Sequence, residues 1–145
     1  MKQQAIPEVT ALLARLAGRW RVVRRIEDRL GPGGRFDGEA VFAEVPGGLD
    51  YVERGVLVLG QGAPMQAERR SLWRAAGARV AVRFADGRGF HELDPAAACP
   101  EARHLCGDDV YDVAYDFAGR SGWGCVWRVR GPRKDYRMVT RYARG

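Results

Sequence analysis

The stretch LAGRWRVVRRIED, residues Leu16–Asp28, decides how this chain is organised. Just before it, Pro7–Leu16 carries valine and leucine at three- and four-residue spacing, which predicts a short amphipathic helix beginning at a proline. Gly18 can end this helix, because glycine tolerates the left-handed cap conformation. From Trp20 to Ile26 the apolar residues recur at period two, which is typical of a strand with one buried face. We expect Trp20 to plug one end of a barrel.

The same alternation recurs along the rest of the chain, between turns rich in glycine, proline and aspartate. Asp94–Arg103 does not alternate, and we predict a loop there. With no helical crossover, about nine to ten sequential antiparallel strands close most simply as an up-and-down barrel. The strands after the first are predicted at Arg35–Val45, Leu49–Leu59, Met65–Ala75, Ala78–Ala85, Gly89–Leu93, Val110–Ala118, Trp123–Arg130 and Lys134–Tyr142.

Several motifs resemble those of known barrel families. Gly18-Arg19-Trp20 resembles the Gly-x-Trp signature of lipocalins and other calycins. Four further motifs together are similar to an uncharacterised family of small bacterial proteins with a predicted lipocalin-like barrel. The resemblance implies an all-β, lipocalin/calycin-like antiparallel up-and-down β-barrel with a short N-terminal helix, and it implies no particular activity. The four motifs are Tyr51-x-Glu53-x-Gly55, Asp86-Gly87 with Phe90-His91, His104-x-Cys106-x-x-Asp109-x-Tyr111, and Trp127-x-Val129-x-Gly131-Pro132-Arg133-Lys134-Asp135-Tyr136.

Length and composition limit the classes of partner. The 145 residues suit a single domain over residues 1–145. The net charge of +6 favours anionic partners, but the arginines are spread along the chain without a nucleic-acid motif, so we do not expect nucleic-acid binding. Three cysteines form no disulfide framework, and no run approaches the roughly 18 apolar residues of a membrane span. We expect a soluble, cytoplasmic protein without membrane contact; a homodimer is compatible with the sequence.

The first candidate site is a set of charged residues on faces that should point into the barrel. Arg24 is in phase with Trp20, and an unpaired guanidinium inside a barrel is costly. Arg24 could pair with Glu53 or bind a carboxylate or phosphate of a ligand. Alternatively, a bulge could shift the phase and turn Arg24 towards water. Arg69 is in phase with Trp73 and is predicted to point inward as well.

The second candidate site contains both histidines of the chain, His91 and His104, which flank the predicted loop. With Tyr111 they could converge at the barrel mouth. The affinity of the protein for an anionic ligand there would fall as the pH rises through the histidine range. His104 and Cys106 would share a strand face, yet their spacing matches no standard zinc pattern, so we assign no metal site. Some bacterial calycin-like barrels bind haem through one histidine. Here neither histidine lies on the last strands, so haem binding stays an outside alternative. A polar network that pins the loop is the structural alternative.

A third segment, Gly131 to Tyr136, places Lys134 beside a turn. A desolvated lysine could act as a Schiff-base nucleophile. The composition is more typical of a hairpin with solvated charges and a packed tyrosine.

These observations favour a binding module that holds a small, partly apolar, anionic ligand inside a β-barrel. An enzyme of the lyase, isomerase or hydrolase type, using His91, His104 and Tyr111, is the first alternative. A structural or interaction protein with a filled barrel is the second. No cofactor is assigned. The aromatic wall is predicted from Trp20, Phe42, Trp73, Tyr111, Tyr115 and Trp127, and the ligand-binding residues from Arg24, Glu53, Arg69, His91, His104, Tyr111 and Trp127.

Overall fold

The computed structural model describes residues 6–144, which form one helix and ten strands. Among these residues, no helical segment is long and apolar enough to cross a membrane. The bounds are α1 Pro7–Leu16, β1 Gly18–Asp28, β2 Gly34–Val45, β3 Gly48–Leu59, β4 Met65–Ala76, β5 Arg79–Phe84, β6 Gly89–Leu93, β7 Glu101–Cys106, β8 Asp109–Asp116, β9 Gly122–Gly131 and β10 Lys134–Ala143.

The strands form one antiparallel sheet in the order β6-β5-β4-β3-β2-β1-β10-β9-β8-β7. Consecutive strands other than β6 and β7 pair as hairpins, and β1 pairs with β10 to join the two halves. The sheet curls until its two edge strands, β6 and β7, lie side by side, although no ladder joins them within the described residues. We call this junction of β6 and β7 the seam. The predicted all-β, lipocalin-like barrel with a short N-terminal helix is confirmed as a nearly closed ten-stranded barrel.

The predicted loop Asp94–Arg103 is wrong in its last part, because Glu101–Cys106 is strand β7. Side chains alternate in β7, but the polar and apolar residues lie on the opposite faces from those expected of a half-buried strand. His104 pairs with Tyr111 on the inner side, whereas Leu105 on the outer side is 65% exposed. A polar residue inside and a leucine outside conceal the period-two pattern that identifies the other strands.

Helix α1 closes one end of the barrel. Val9, Leu12 and Leu16 are buried against the ends of the strands. Trp20 is 3% exposed there, and its indole Nε1 donates to the Leu16 carbonyl oxygen at 2.8 Å. Gly18 has a φ of 106°, so the glycine that precedes the tryptophan does adopt a positive φ between helix and strand. The interior therefore opens at the opposite end, where β4, β8 and β10 begin.

Candidate functional site

A cavity of about 320 Å³ occupies the barrel interior. Its lining is mostly aromatic, and its deeper residues are buried while those near the open end are partly exposed. The lining residues are Arg24, Tyr51, Glu53, Arg69, Arg70, Ser71, Trp73, Val82, Phe84, Phe90, His91, Tyr111, Tyr115, Trp123, Cys125, Trp127, Tyr136, Met138 and Tyr142.

Aromatic rings that stack on one another form most of the wall. The Trp123 and Tyr142 rings lie parallel with centroids 3.8 Å apart, and Phe90 stacks on Trp127 at 5.0 Å. Of the predicted aromatic wall, Trp20 and Phe42 do not line the cavity. They lie one layer deeper, where Trp20 contacts Trp123 edge-on at 6.2 Å. That layer belongs to the plug beneath the cavity, which parity alone does not separate from the wall.

Arg24 and Glu53 form an ion pair inside the barrel, which is one of the two arrangements that the sequence left open. The Arg24 Nη1 donates to Glu53 Oε2 at 2.6 Å and Nη2 donates to Oε1 at 2.9 Å, while Nε donates to Thr140 Oγ1 at 2.9 Å. Arg24 is 5% and Glu53 3% exposed. Burial disfavours both charges, but their mutual hydrogen bonds outweigh it, so the pKa of Arg24 is raised and that of Glu53 lowered. The interior pair is therefore ionised and neutral overall.

Two tyrosines extend the ion pair along the cavity wall. The Tyr51 hydroxyl lies 2.5 Å from Glu53 Oε1 and 2.9 Å from the Tyr142 hydroxyl. Burial raises the pKa of both phenols, so both keep their protons at neutral pH. Neither tyrosine was predicted as a site residue, although Tyr51 is in phase with Glu53 and Tyr142 with Thr140. The signal was present, but the contact between β3 and β10 appears only once the barrel closes.

Arg69 lines the cavity, as its phase with Trp73 predicts, but its side chain is exposed at the open end. The carboxylates around it are held by other arginines: Glu53 by Arg24, and Glu68 by Arg54 and Arg70. Within residues 6–144, Arg69 makes no ion pair or hydrogen bond of its own. A cation without a partner thus lies where a ligand would enter the cavity.

His91 lies in the cavity wall and is held by Tyr115. Its Nε2 is 2.8 Å from the Tyr115 hydroxyl, and its buried Nδ1 has no partner among the described residues. Burial, with a smaller contribution from the charge of His104, lowers the pKa of His91 to about 4. The ring is therefore neutral at neutral pH. Without a ligand no imidazolium is present at His91, so the predicted loss of anion affinity through the histidine range requires that a bound anion raise the pKa of this ring, and it stays a prediction.

A bulge explains why two consecutive residues of β6 reach the interior. Val82 pairs with His91 but Arg83 pairs with Gly89, so Phe90 is an extra residue in the strand. Phe90 and His91 consequently both line the cavity. Phe90 was not predicted as a site residue, because strict alternation turns it outward.

The structure brings His104 beside Tyr111, with ring centroids 6.0 Å apart, but not into the cavity wall with His91. His104 does not line the cavity: its ring lies behind Phe90, edge-on with centroids 5.1 Å apart. The bulge at Phe90 is the physical reason, since the added ring lies between His104 and the cavity. Cys106 is exposed, and within residues 6–144 no three His, Cys, Asp or Glu side chains are grouped as metal ligands would be.

Tyr111 lines the cavity near its mouth, where its hydroxyl accepts a hydrogen bond from Lys134 Nζ at 2.8 Å. Lys134 also pairs with Asp109 Oδ2 at 2.9 Å. These contacts raise the pKa of Lys134, which keeps the amine protonated. A protonated, partly exposed amine is a poor nucleophile, so these contacts favour the hairpin interpretation of Lys134 over the Schiff-base interpretation.

Comparison with known proteins agrees with the fold. A sequence model described as a family of unknown function (DUF6314) matches residues 16–144, in line with the resemblance of the motifs to an uncharacterised family. No curated protein matches the chain. Among solved structures, the S-type phycobiliprotein lyase from Guillardia theta is similar over 99% of this chain and 94% of its own, with a TM-score of 0.65 and 8% sequence identity. At that identity the likeness shows a shared fold.

Proposed function

We propose that this chain, which belongs to the family of unknown function DUF6314, binds a small aromatic ligand with one anionic group inside its barrel. The observation that carries the proposal is the interior cavity with a stacked aromatic wall and the unpartnered Arg69 guanidinium at its mouth. Ligand sites are typically apolar concavities with a few polar groups that fix orientation. The cavity also disfavours the alternative of a filled, purely structural barrel.

The distribution of charges inside the barrel supports an anionic ligand. Arg24 and Glu53 cancel each other, so neither calls for a charged ligand. Among the described residues that line the cavity, Arg69 is left without a counter-ion, and its electrostatic influence already reaches Glu53. A guanidinium binds a carboxylate or phosphate with two parallel hydrogen bonds, which favours such a group at the mouth.

The size of the cavity supports a small ligand. At about 320 Å³ it lies at the lower end of the range for ligand pockets, which is roughly 300–1,000 Å³. Flat rings suit a wall of tryptophan, tyrosine and phenylalanine, because offset and edge-on ring contacts add to the apolar burial. One or two fused rings fill this space without displacing the Arg24–Glu53 pair.

The enzyme alternative receives less support from the same geometry. Its three proposed groups do not meet in the cavity, because His104 does not line it. His91 has a pKa of about 4, far below the value near 7 that suits a general base at neutral pH. Tyr111 is already engaged by Lys134. We therefore retain binding as the proposed function.

The proposal is tested with 2-naphthoate as an anionic probe and 2-naphthalenemethanol as its neutral counterpart, followed by quenching of tryptophan fluorescence. We expect 2-naphthoate to bind more tightly, and Arg69→Gln to weaken its binding about fivefold to tenfold, as for loss of a partly exposed charge-assisted hydrogen bond. Arg83→Gln is the matched control, since Arg83 lies on the outer face of β5 and is exposed. Equal affinity of the two probes, or equal effects of the two variants, would contradict the anionic ligand, and no binding of either probe would contradict the proposal as a whole.

A further inference from the structure

We infer that the buried end of the cavity selects a ligand carrying a hydrogen-bond donor, a hydroxyl or an N–H group, which the Tyr142 oxygen accepts. This inference rests on the proposed function, because it concerns the inner end of the same ligand. It follows from the direction of the hydrogen bonds between Glu53, Tyr51 and Tyr142, all of which line the cavity.

The direction is set at Glu53. Its carboxylate is ionised because Arg24 donates to both of its oxygens. An ionised carboxylate only accepts hydrogen bonds, so the Tyr51 hydroxyl, 2.5 Å from Oε1, must be the donor. A phenol has one hydroxyl hydrogen, and Tyr51 donates it to Glu53.

The next bond must then run towards Tyr51. Its hydroxyl lies 2.9 Å from that of Tyr142, and Tyr51 has no second hydrogen to give. Tyr142 is therefore the donor of this bond and has no hydrogen left for a ligand. What Tyr142 presents to the cavity is an oxygen that can only accept.

Tyr142 cannot easily turn to offer anything else. It is 6% exposed, and its ring lies against Trp123 with centroids 3.8 Å apart and planes inclined by only 4°. Within the described residues its hydroxyl has Tyr51 as its one hydrogen-bond partner. A ligand that fills the cavity and has no hydrogen-bond donor would leave the Tyr142 oxygen unsatisfied, whereas a ligand hydroxyl or N–H group would satisfy it.

The experiment compares four probes that share a carboxylate and differ at the far end of the ring system: 2-naphthoate and its 6-hydroxy, 6-amino and 6-fluoro derivatives. Fluorine has nearly the size of a hydroxyl but donates nothing. We expect the hydroxy and amino probes to bind about tenfold more tightly than the fluoro probe, the value for one net buried hydrogen bond. Equal affinities of the hydroxy, amino and fluoro probes would overturn the inference.

Two variants assign the preference to this chain of hydroxyls. Tyr142→Phe should remove most of the preference for the hydroxy over the fluoro probe. Tyr51→Phe should reduce it too, since the Tyr142 hydrogen is then released and the oxygen is no longer restricted to accepting. Tyr136→Phe is the matched control, because Tyr136 lines the cavity near the mouth and has no part in the chain. An unchanged preference in Tyr142→Phe, with the fold intact by near-ultraviolet circular dichroism, would overturn the inference.

The two proposals fail in different ways. If 2-naphthoate itself does not bind, the proposed function fails and the inference falls with it. If 2-naphthoate binds with the expected dependence on Arg69 but the fluoro probe matches the hydroxy probe, only the inference fails.

Discussion

Arg24 and Glu53 form an ion pair inside the barrel. Both side chains are almost fully buried, and each satisfies the other with two hydrogen bonds. Glu53→Gln leaves the Arg24 charge buried without a counter-ion. We therefore expect a loss of about 3–5 kcal/mol in the free energy of unfolding, measured by urea denaturation at neutral pH.

Two further variants distinguish the cost of leaving a buried charge unpaired from the cost of losing an ion pair at the surface. Asp37→Asn breaks the exposed pair with Arg35 and should cost less than about 1 kcal/mol. The double variant Arg24→Met with Glu53→Met removes both charges and should recover much of the stability that Glu53→Gln loses. Similar losses in Glu53→Gln and Asp37→Asn would contradict the argument.

His91 should make the stability of the protein depend on pH above the range of the carboxylates. Its pKa falls from 6.5 in an exposed ring to about 4 in the folded protein, so the unfolded chain binds a proton that the folded chain refuses. Stability is then full above the unfolded pKa and is lost as the pH falls. We expect a loss of about 2 kcal/mol from this residue between about pH 7 and about pH 5. His91→Gln should flatten that slope, and the same slope in both proteins would exclude His91 as its source.

At the residue scale, parity alone predicts part of the site. Arg24 and Glu53 each follow from the alternation of their own strands, and their opposite charges suggest a pair. The link from Tyr51 to Tyr142 was out of reach, because it joins β3 to β10 across a barrel whose closure the local pattern does not determine. His104 lies outside the cavity wall for a different reason. Its phase in the strand is right, but the bulged Phe90 lies between its ring and the cavity.

At the scale of elements, β2 and β3 come together over a pair of facing glycines. Gly38 pairs with Gly55, and the Phe36 ring covers both, because a Cβ built on either glycine would lie 2.8 Å from Phe36 Cζ. Arg24 in turn lies over this ring at 5.2 Å. The glycines thus make room for an aromatic ring that supports the buried ion pair.

Gly55→Ala tests this close packing. The new Cβ would lie 2.2 Å from the Asp37 carbonyl oxygen, a backbone atom that cannot move aside cheaply. We expect a loss of about 1–3 kcal/mol in the free energy of unfolding, the usual range for overpacking. Gly89→Ala is the control, since nothing lies within 4 Å of its Cβ position, and a loss there as large as at Gly55 would contradict the packing argument.

The elements also show where periodicity stops predicting the fold. In β8 and β9 the inward positions are aromatic or aliphatic except for Cys125, and both strands follow directly from the sequence. Strand β7 has Ala102 and His104 inside and Leu105 outside, so its hydrophobic contrast is inverted. The structure forms β7 through its ladder with β8, which is a tertiary preference that overrides the local pattern.

At the scale of the whole molecule, a backbone ladder joins every two neighbouring strands of the barrel except at the seam. Strands β1 and β10 pair on both sides, whereas β6 and β7 each have one ladder within the described residues. Side chains bridge the seam instead: His91 bonds Tyr115 across it, and Phe90 contacts His104 and Trp127. An edge without backbone bonds to its neighbour should open more readily than the paired strands.

Hydrogen–deuterium exchange should therefore be faster in β6 and β7 than in β1 and β10, because one ladder and a few ring contacts restrain the edge strands. Phe90→Ala removes the ring that joins β6 to both His104 and Trp127, so it should speed exchange in β6 and β7 far more than in β1 and β10. Leu105→Ala is the matched control, since Leu105 lies on β7 but is 65% exposed and should leave exchange unchanged. If Phe90→Ala accelerated exchange uniformly over the barrel, the seam would open only with the whole molecule, and its side-chain bridges would have no separate role.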